Sequence, residues 1–210
     1  MRLHGYAHSS STWRVRIALA LKGLRAEAVQ HPAPGPDARL PALRHLNPQG
    51  LVPVMESGEG APLTQSLAIL EWLEEMWPTP ALLPADPLAR ARVRAFALAI
   101  ACDMQPLHNP RALARLRALG LGDMQVRAWV RLALTEGLEA CEMLLREADG
   151  PFCFGMSPGL ADICLVPQMA MAREFGLPLA FPRLMAAEAA CLTLPAFHAT
   201  QPPSLVENPA

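Results

Sequence analysis

A proline-rich break divides this 210-residue chain into two stretches of different character. Pro78, Pro80, Pro84 and Pro87 fall within ten residues. A proline offers no backbone N–H and a fixed φ, so neither helix nor strand runs through such a segment. Before it, short strand-like and helical patterns alternate; after it, the pattern is almost wholly helical. The division predicts two domains, 1–80 and 88–210, in a chain long enough for both.

In the first stretch, Leu3 to Tyr6 reads as a strand. A helix follows from Thr12, with Trp13, Ile17 and Leu21 at helical spacing and Gly23 as its stop. Ala26 to Gln30 is a second strand, 31–37 a loop with three prolines, and 38–46 a helical pattern. Asn47-Pro48-Gln49-Gly50 is a turn. Leu51 to Met55 is a strand interrupted by Pro53, which suits an edge position or a cis peptide. Ser57-Gly58-Glu59-Gly60 reads as a hairpin turn. A helix from Ser66 to about Met76 directs Ile69, Leu70, Leu73, Met76 and Trp77 inward and Glu71, Glu74 and Glu75 to water. The order β-α-β-α-β-β-α predicts a four-stranded mixed sheet, followed by a helical bundle.

Beyond the break, Leu88 to Met104 forms a long helix in which Pro106 and Pro110 impose a kink or break near Gln105. Gln125 to Glu147 is amphipathic. Leu160 to Ala172 is apolar nearly all round, the mark of a buried central helix. Its start has two registers: Ser157 as cap with Pro158 first, or Gly159 as cap with Asp162 reaching back.

Composition narrows the partners. Lys and Arg number 18 against 19 Asp and Glu, a net charge of −1 with no general attraction to nucleic acid or anionic lipid. No apolar run approaches the ~18 residues of a membrane span, and Met1-Arg2-Leu3-His4-Gly5 lacks a secretory core. The expectation is a cytoplasmic protein without membrane or nucleic-acid partners. Five widely spaced cysteines read as small hydrophobes in a reducing compartment, and six scattered histidines lack metal-site spacing.

Three segments carry possible chemistry. Ser9-Ser10-Ser11-Thr12 places four hydroxyls at the start of a helix, where they cap it or, with the positive helix end, stabilise an anion or thiolate. A thiol with a pKa near 8.5 becomes a good nucleophile only when such groups lower it. A cis Val52-Pro53 bond would turn the Val52 backbone outward to pair with an extended peptide. Thr64-Gln65-Ser66, before the next helix, is either another cap or a grip on a carboxylate.

Together Ser-Ser-x-x-Trp-Arg-Val-Arg-Ile-Ala-Leu-Ala-Leu-Lys-Gly, Asn-Pro-x-Gly-x-Val-Pro and Gln-Ser-Leu-Ala-Ile-Leu-Glu-Trp-Leu-Glu-Glu resemble the zeta class of glutathione transferases, whose best-known members are maleylacetoacetate isomerases. The resemblance continues through Leu82 to Asp86, Gln105 to Asn109, Gly159 to Gln168 and Leu194 to Phe197. It implies a thioredoxin-like domain, an all-helical domain, glutathione as cofactor, a small electrophile or cis-dicarboxylate as substrate, and a homodimer. It implies roles for residues too. Ser9 is the hydroxyl facing the glutathione sulfur, and Ser10, Ser11, Thr12, Trp13 and Arg14 border it, the three serines being the catalytic candidates. Val52 pairs with the cysteinyl unit, and Gln65 and Ser66 grip the γ-glutamyl end. Gln105, Asn109 and Arg111 match binding positions of the helical domain, while Asp162 matches a structural carboxylate.

The chain departs from that pattern at four places. Ser11 stands where isomerases of the class carry Cys, His8 where Arg is common, Met156 where Asp follows a glycine, and Glu174 where Asn-Ala-Arg-Arg-Phe has its second Arg. Two of these changes remove positive charge that would hold a dianion. Arg173 and Arg111 are left to compensate, Arg173 being one residue, about 100°, round the helix. Maleylacetoacetate isomerisation, maleylpyruvate isomerisation, general glutathione transfer and non-catalytic ligand binding are the functions this reading admits.

Overall fold

The computed structural model describes residues 1–34 and 40–203. The chain forms two compact units: Met1–Ala81 together with the C-terminal segment that begins at Thr193, and Leu82–Leu192.

The first unit is thioredoxin-like. Strand β1 (Arg2–Gly5) leads to helix α1 (Ser10–Leu21), strand β2 (Glu27–Gln30), strands β3 (Val54–Glu56) and β4 (Leu63–Thr64), and helix α2 (Ser66–Met76). The sheet order is β2-β1-β3-β4. β1 runs parallel to β2, with Leu3 opposite Ala28, and antiparallel to β3, with Leu3 opposite Met55. β3 and β4 form a hairpin pairing Val54 with Thr64. Val54 and Met55 are both fully buried, because a central strand covered on both faces needs apolar residues at successive positions. Gly23, at φ 65°, ends α1 as its position predicts, and the Leu24 N–H returns to the Leu19 carbonyl. Helix α1 also packs against a short C-terminal helix numbered α9 (Pro195–His198), where the Trp13 ring N–H donates to Thr200 Oγ1 at 3.0 Å.

Two expectations for this unit change. The helix read over 38–46 is, among the described residues, a single 3-10 turn at Pro41–Leu43; 38 and 39 lie outside them. Leu43, Arg44 and Leu46 each donate three residues back, and Pro41, without an N–H, opens the turn. On α2, Glu74 is buried rather than wet, and Met76 is 56% exposed rather than inward. The buried side of α2 is turned toward Lys22, whose ammonium reaches Glu74 Oε2 at 2.8 Å.

The second unit is all-helical: α3 (Pro87–Leu98), a π-helical segment (Ala99–Met104), α4 (Gln105–His108), α5 (Pro110–Ala118), α6 (Asp123–Leu144), α7 (Leu160–Glu174) and α8 (Pro182–Leu192). The break expected near Gln105 resolves into two features. The helix widens by one turn of π geometry ahead of Pro106, then stops where Asn109 turns extended before Pro110. Helix α7 is the buried centre, with Ile163, Cys164, Leu165 and Met169 fully covered. Of its two possible starts, Gly159 is the cap: Asp162 Oδ2 accepts the Gly159 N–H at 2.9 Å.

Candidate active site

Three of the four hydroxyls, those of Ser9, Ser11 and Thr12, form one connected cluster where β1 hands over to α1. Ser9 caps α1: its Oγ accepts the Thr12 N–H at 3.2 Å and the Thr12 hydroxyl at 2.9 Å. Ser9 Oγ lies 3.1 Å from Ser11 Oγ, which donates in turn to the Val52 carbonyl at 3.3 Å. Ser9, Ser10 and Thr12 are buried, and Ser11 is the half-exposed member. Tyr6 also reaches Ser9; burial pushes its phenol up, and the bond with Ser9 works against that. Capping does not exclude chemistry here, since a hydroxyl that satisfies a helix end still has a proton to donate in a hydrogen bond.

Val52 lies next to this cluster through the Ser11 contact, and the Val52–Pro53 bond is cis, as its place after the Asn47 turn led us to expect. Asn47 frames that turn: its amide donates to the Leu51 carbonyl at 2.8 Å and its oxygen accepts the Gln49 N–H at 3.0 Å.

Gln65 and Ser66 sit at the N-terminus of α2. Gln65 holds φ 68° and ψ 118°, a conformation that costs an L-residue roughly 1–3 kcal/mol and that concentrates at binding sites. Its amide donates to Gln49 Oε1 at 2.9 Å. Ser66 is buried, and the fully buried Arg14 donates to Ser66 Oγ at 3.4 Å. A guanidinium, a hydroxyl and a helix N-terminus thus converge, as an anionic group requires. Sequence reasoning missed Gln49, whose only signal was membership of the turn, and the contact between Arg14 and Ser66, 52 residues apart. Trp13 is buried with its ring N–H committed to Thr200.

The second unit holds the other candidates. Gln105 opens α4 directly after the π segment. Asn109 caps α5, its Oδ1 accepting the Ala112 N–H at 2.8 Å, which leaves its amide N–H groups to face elsewhere. Arg111 is half-buried in the first turn of α5. Asp162 is structural: it accepts the Cys153 and Gly159 N–H groups, both at 2.9 Å, and burial holds its carboxyl above the usual range. Glu174 is exposed at the end of α7, and Arg173 is bound to Glu188. Among the described residues, no group of three His, Cys, Asp or Glu is placed to hold a metal ion. No helix among them is long and apolar enough to cross a membrane.

A thioredoxin-like unit with a hydroxyl-capped first helix and a strained Gln-Ser turn, followed by an all-helical unit, defines the class of glutathione transferases, and residues 8–76 match the glutathione S-transferase N-terminal domain. The chain is 46% identical to maleylacetoacetate isomerase of Pseudomonas aeruginosa over 100% of both sequences. The solved holo structure of maleyl pyruvate isomerase, a bacterial zeta-class transferase, superposes with a TM-score of 0.91 at 42% identity, covering 96% of this chain and 97% of that one. Maleylacetoacetate isomerase from Anaeromyxobacter dehalogenans, solved with GSH in its active site, gives a TM-score of 0.86 at 44% identity over 96% and 94%. The chain belongs to the zeta class of the glutathione S-transferase family, with the maleylacetoacetate isomerases.

Proposed function

We propose that the protein is a glutathione-dependent cis-trans isomerase of a maleyl-type keto-diacid, with maleylacetoacetate as the first substrate to try. The observation that carries this reading is the hydroxyl cluster of Ser9, Ser11 and Thr12 at the α1 N-terminus, in a chain 46% identical to a maleylacetoacetate isomerase over its whole length. Glutathione, when bound, supplies a thiolate for reversible addition to the cis double bond, which lowers the bond order long enough for rotation.

This chain's residues fit that cofactor. Ser9 donates a hydrogen bond to the sulfur and, with the positive end of α1, favours thiolate over thiol. Ser10 and Ser11 border the sulfur, with Thr12, Trp13 and Arg14 behind them. The Val52 backbone pairs with the cysteinyl unit, and Gln65 and Ser66, with Arg14 beneath, hold the γ-glutamyl carboxylate. Gln105, Asn109 and Arg111 are the binding residues of the helical unit. In this reading the protein acts as a cytoplasmic homodimer in the breakdown of aromatic amino acids, the dimer being supported by the exposed Leu88 and Leu98 on α3.

Maleylpyruvate is the second reading, favoured by Ser11 in place of cysteine and by the maleyl pyruvate isomerase of the same class. Retention on immobilised glutathione, followed by an ultraviolet assay with each keto-diacid, separates these outcomes. Isomerisation of maleylacetoacetate supports the first reading, and turnover of maleylpyruvate alone supports the second. Retention without turnover of either leaves a glutathione-binding protein and overturns the isomerase.

A further inference from the structure

We propose that Thr12 is a positioning residue for the thiol-facing hydroxyl: seated against Gly5, it fills the lone pairs of Ser9 and so directs the proton of Ser9 toward the bound sulfur. The proposal rests on the reading that Ser9 faces that sulfur.

A serine hydroxyl has two acceptor sites and one proton. Both acceptor sites of Ser9 Oγ are taken by one residue, through the Thr12 N–H at 3.2 Å and the Thr12 O–H at 2.9 Å. The proton of Ser9 is then left for an acceptor, and Ser11 Oγ stands 3.1 Å away on the half-exposed side of the cluster. Without the Thr12 hydroxyl, Ser9 keeps the backbone bond but regains a free lone pair, which Ser11 or Tyr6 can fill by donating inward. The rotor then loses its preference, and the sulfur loses a donor held ready in advance. Such a chain of hydroxyls also strengthens along its length, because each donor polarises the next.

Gly5 supplies the independent observation. It lies in β1, opposite Gln30, and is not among the residues with positive φ, so its backbone makes no demand for glycine. Space does. A Cβ at Gly5 would overlap Thr12 Cγ2 and lie 2.8 Å from Thr12 Oγ1. The end of the strand is left bare where the threonine side chain enters. A β-branched side chain has few rotamers, and with its methyl lodged against Gly5 the hydroxyl of Thr12 stays on Ser9. Gly5 and Thr12 are thus one device acting on the sulfur through a third residue.

The test is a titration of glutathione bound to the full-length protein, following thiolate absorbance, in wild type, Thr12→Val, Thr12→Ser, Gly5→Ala and Ser9→Ala, with glutathione affinity measured in parallel. Thr12→Val keeps the shape and removes the O–H. It is expected to lower the thiolate-to-thiol ratio at fixed pH roughly 3- to 10-fold, the worth of one hydrogen bond, with affinity measured below the bound thiol's pKa, where the thiol form binds, changed less than about 2-fold. Thr12→Ser restores the O–H and most of the effect, which a purely structural role would not predict. Gly5→Ala shifts the ratio in the same direction as Thr12→Val. Should Thr12→Val not fold, Thr12→Ala, which adds no bulk, carries the same comparison. A wild-type titration in the Thr12 variant beside a raised thiol pKa in Ser9→Ala overturns the role of Thr12 and leaves Ser9 standing. A wild-type titration in Ser9→Ala removes Ser9 from the sulfur, and the role of Thr12 with it.

Discussion

Arg173 holds Glu188 with both terminal nitrogens of its guanidinium, the first of them 2.6 Å from Glu188 Oε1. The carboxylate is 4% exposed and the arginine 43%. This fork-on-fork pair raises the affinity of Arg173 for its proton, through the hydrogen bond to Glu188 first. It also occupies the charge that sequence reasoning had offered as a replacement for the arginine missing at Glu174. Arg111, half-buried in α5 and without an ion-pair partner among the described residues, is the arginine we propose for a substrate carboxylate.

Substitution separates the two arginines. Arg173→Met strands a buried carboxylate and is expected to cost about 2–3 kcal/mol of stability, less than a fully buried pair because the arginine itself is half in water. It should leave KM for the keto-diacid nearly unchanged. Arg111→Gln should do the reverse, raising KM for the keto-diacid roughly 10-fold or more through loss of a charge-assisted bond, with little effect on melting. Thermal denaturation and initial-rate kinetics on the two variants decide it; a raised KM in Arg173→Met would return that residue to the substrate.

Lys22 is a buried cation with a structural task of its own. Its ammonium donates to Glu74 Oε2 at 2.8 Å and to the carbonyls of Trp77 and Pro80, so all three protons are used. It ties the end of α1 to the end of α2 and to the chain beyond. Lys22→Met leaves Glu74 and two carbonyls without their donor and is expected to cost about 3–5 kcal/mol. Glutathione affinity in the surviving folded fraction should hold, because Gln65 and Ser66 stand at the opposite end of α2. A urea midpoint equal to wild type would show that the clamp contributes nothing net.

The five cysteines should fall into two groups. Cys102 is exposed, whereas Cys141, Cys153, Cys164 and Cys191 are buried. Burial pushes the Cys141 thiol up to about 12. Burial likewise pushes Cys153 and Cys191 well up, each with the Asp162 carboxylate adding to the effect. Since the thiolate is the reactive form, a chromogenic disulfide should titrate Cys102 alone in the native protein, and all five thiols after denaturation. Fast reaction of a second native thiol would contradict the packing around Asp162.

What was legible in the sequence was what local rules write. The hydrophobic spacing of α1 and α7, the glycine stop at Gly23 and the choice between Ser157 and Gly159 as cap were all statements about neighbours in the chain, and the structure answers each of them. The serines of α1 and the Gln65-Ser66 pair likewise announced helix ends. What could not be read were contacts that tertiary folding creates: Glu74 turned inward by Lys22, Arg173 taken by Glu188, Arg14 brought beneath Ser66. A glutamate on a helix reads as solvated until its partner is known, because the desolvation that would forbid its burial is offset only by a residue far away in sequence. The helix read over 38–46 failed for a nearer reason, since Pro41 sits inside that span.

Stability should fall in two acid steps, set by a row of charged groups across the sheet. His4 Nε2 lies 2.6 Å from Glu56 Oε1, and His4 Nδ1 lies 3.0 Å from His31 Nε2, with the two rings stacked. Arg2 reaches the same Glu56 oxygen at 3.0 Å and approaches Glu27. Burial lowers the His31 pKa and the charge of His4 lowers it further, so between its ordinary value near 6.5 and its folded value the unfolded chain binds more protons. Stability is therefore complete above about pH 6.5 and is lost as pH falls below it. The hydrogen bond from His4 holds Glu56 below the usual carboxylate range, against the effect of burial and aided by the charges of Arg2, His4 and His45. That contribution is present above about pH 4.5 and is lost as pH falls through the folded value, a second and lower step. Two protons cannot share the short space between His4 Nδ1 and His31 Nε2, so the first step also breaks the bond that holds His31 to β1. Melting temperatures measured from about pH 8 down to about pH 2 should show both steps in the wild type. His31→Asn should remove the upper one and Glu56→Gln the lower. A wild-type melting temperature that stays level through the upper range, or an upper step that survives in His31→Asn, would contradict the assignment.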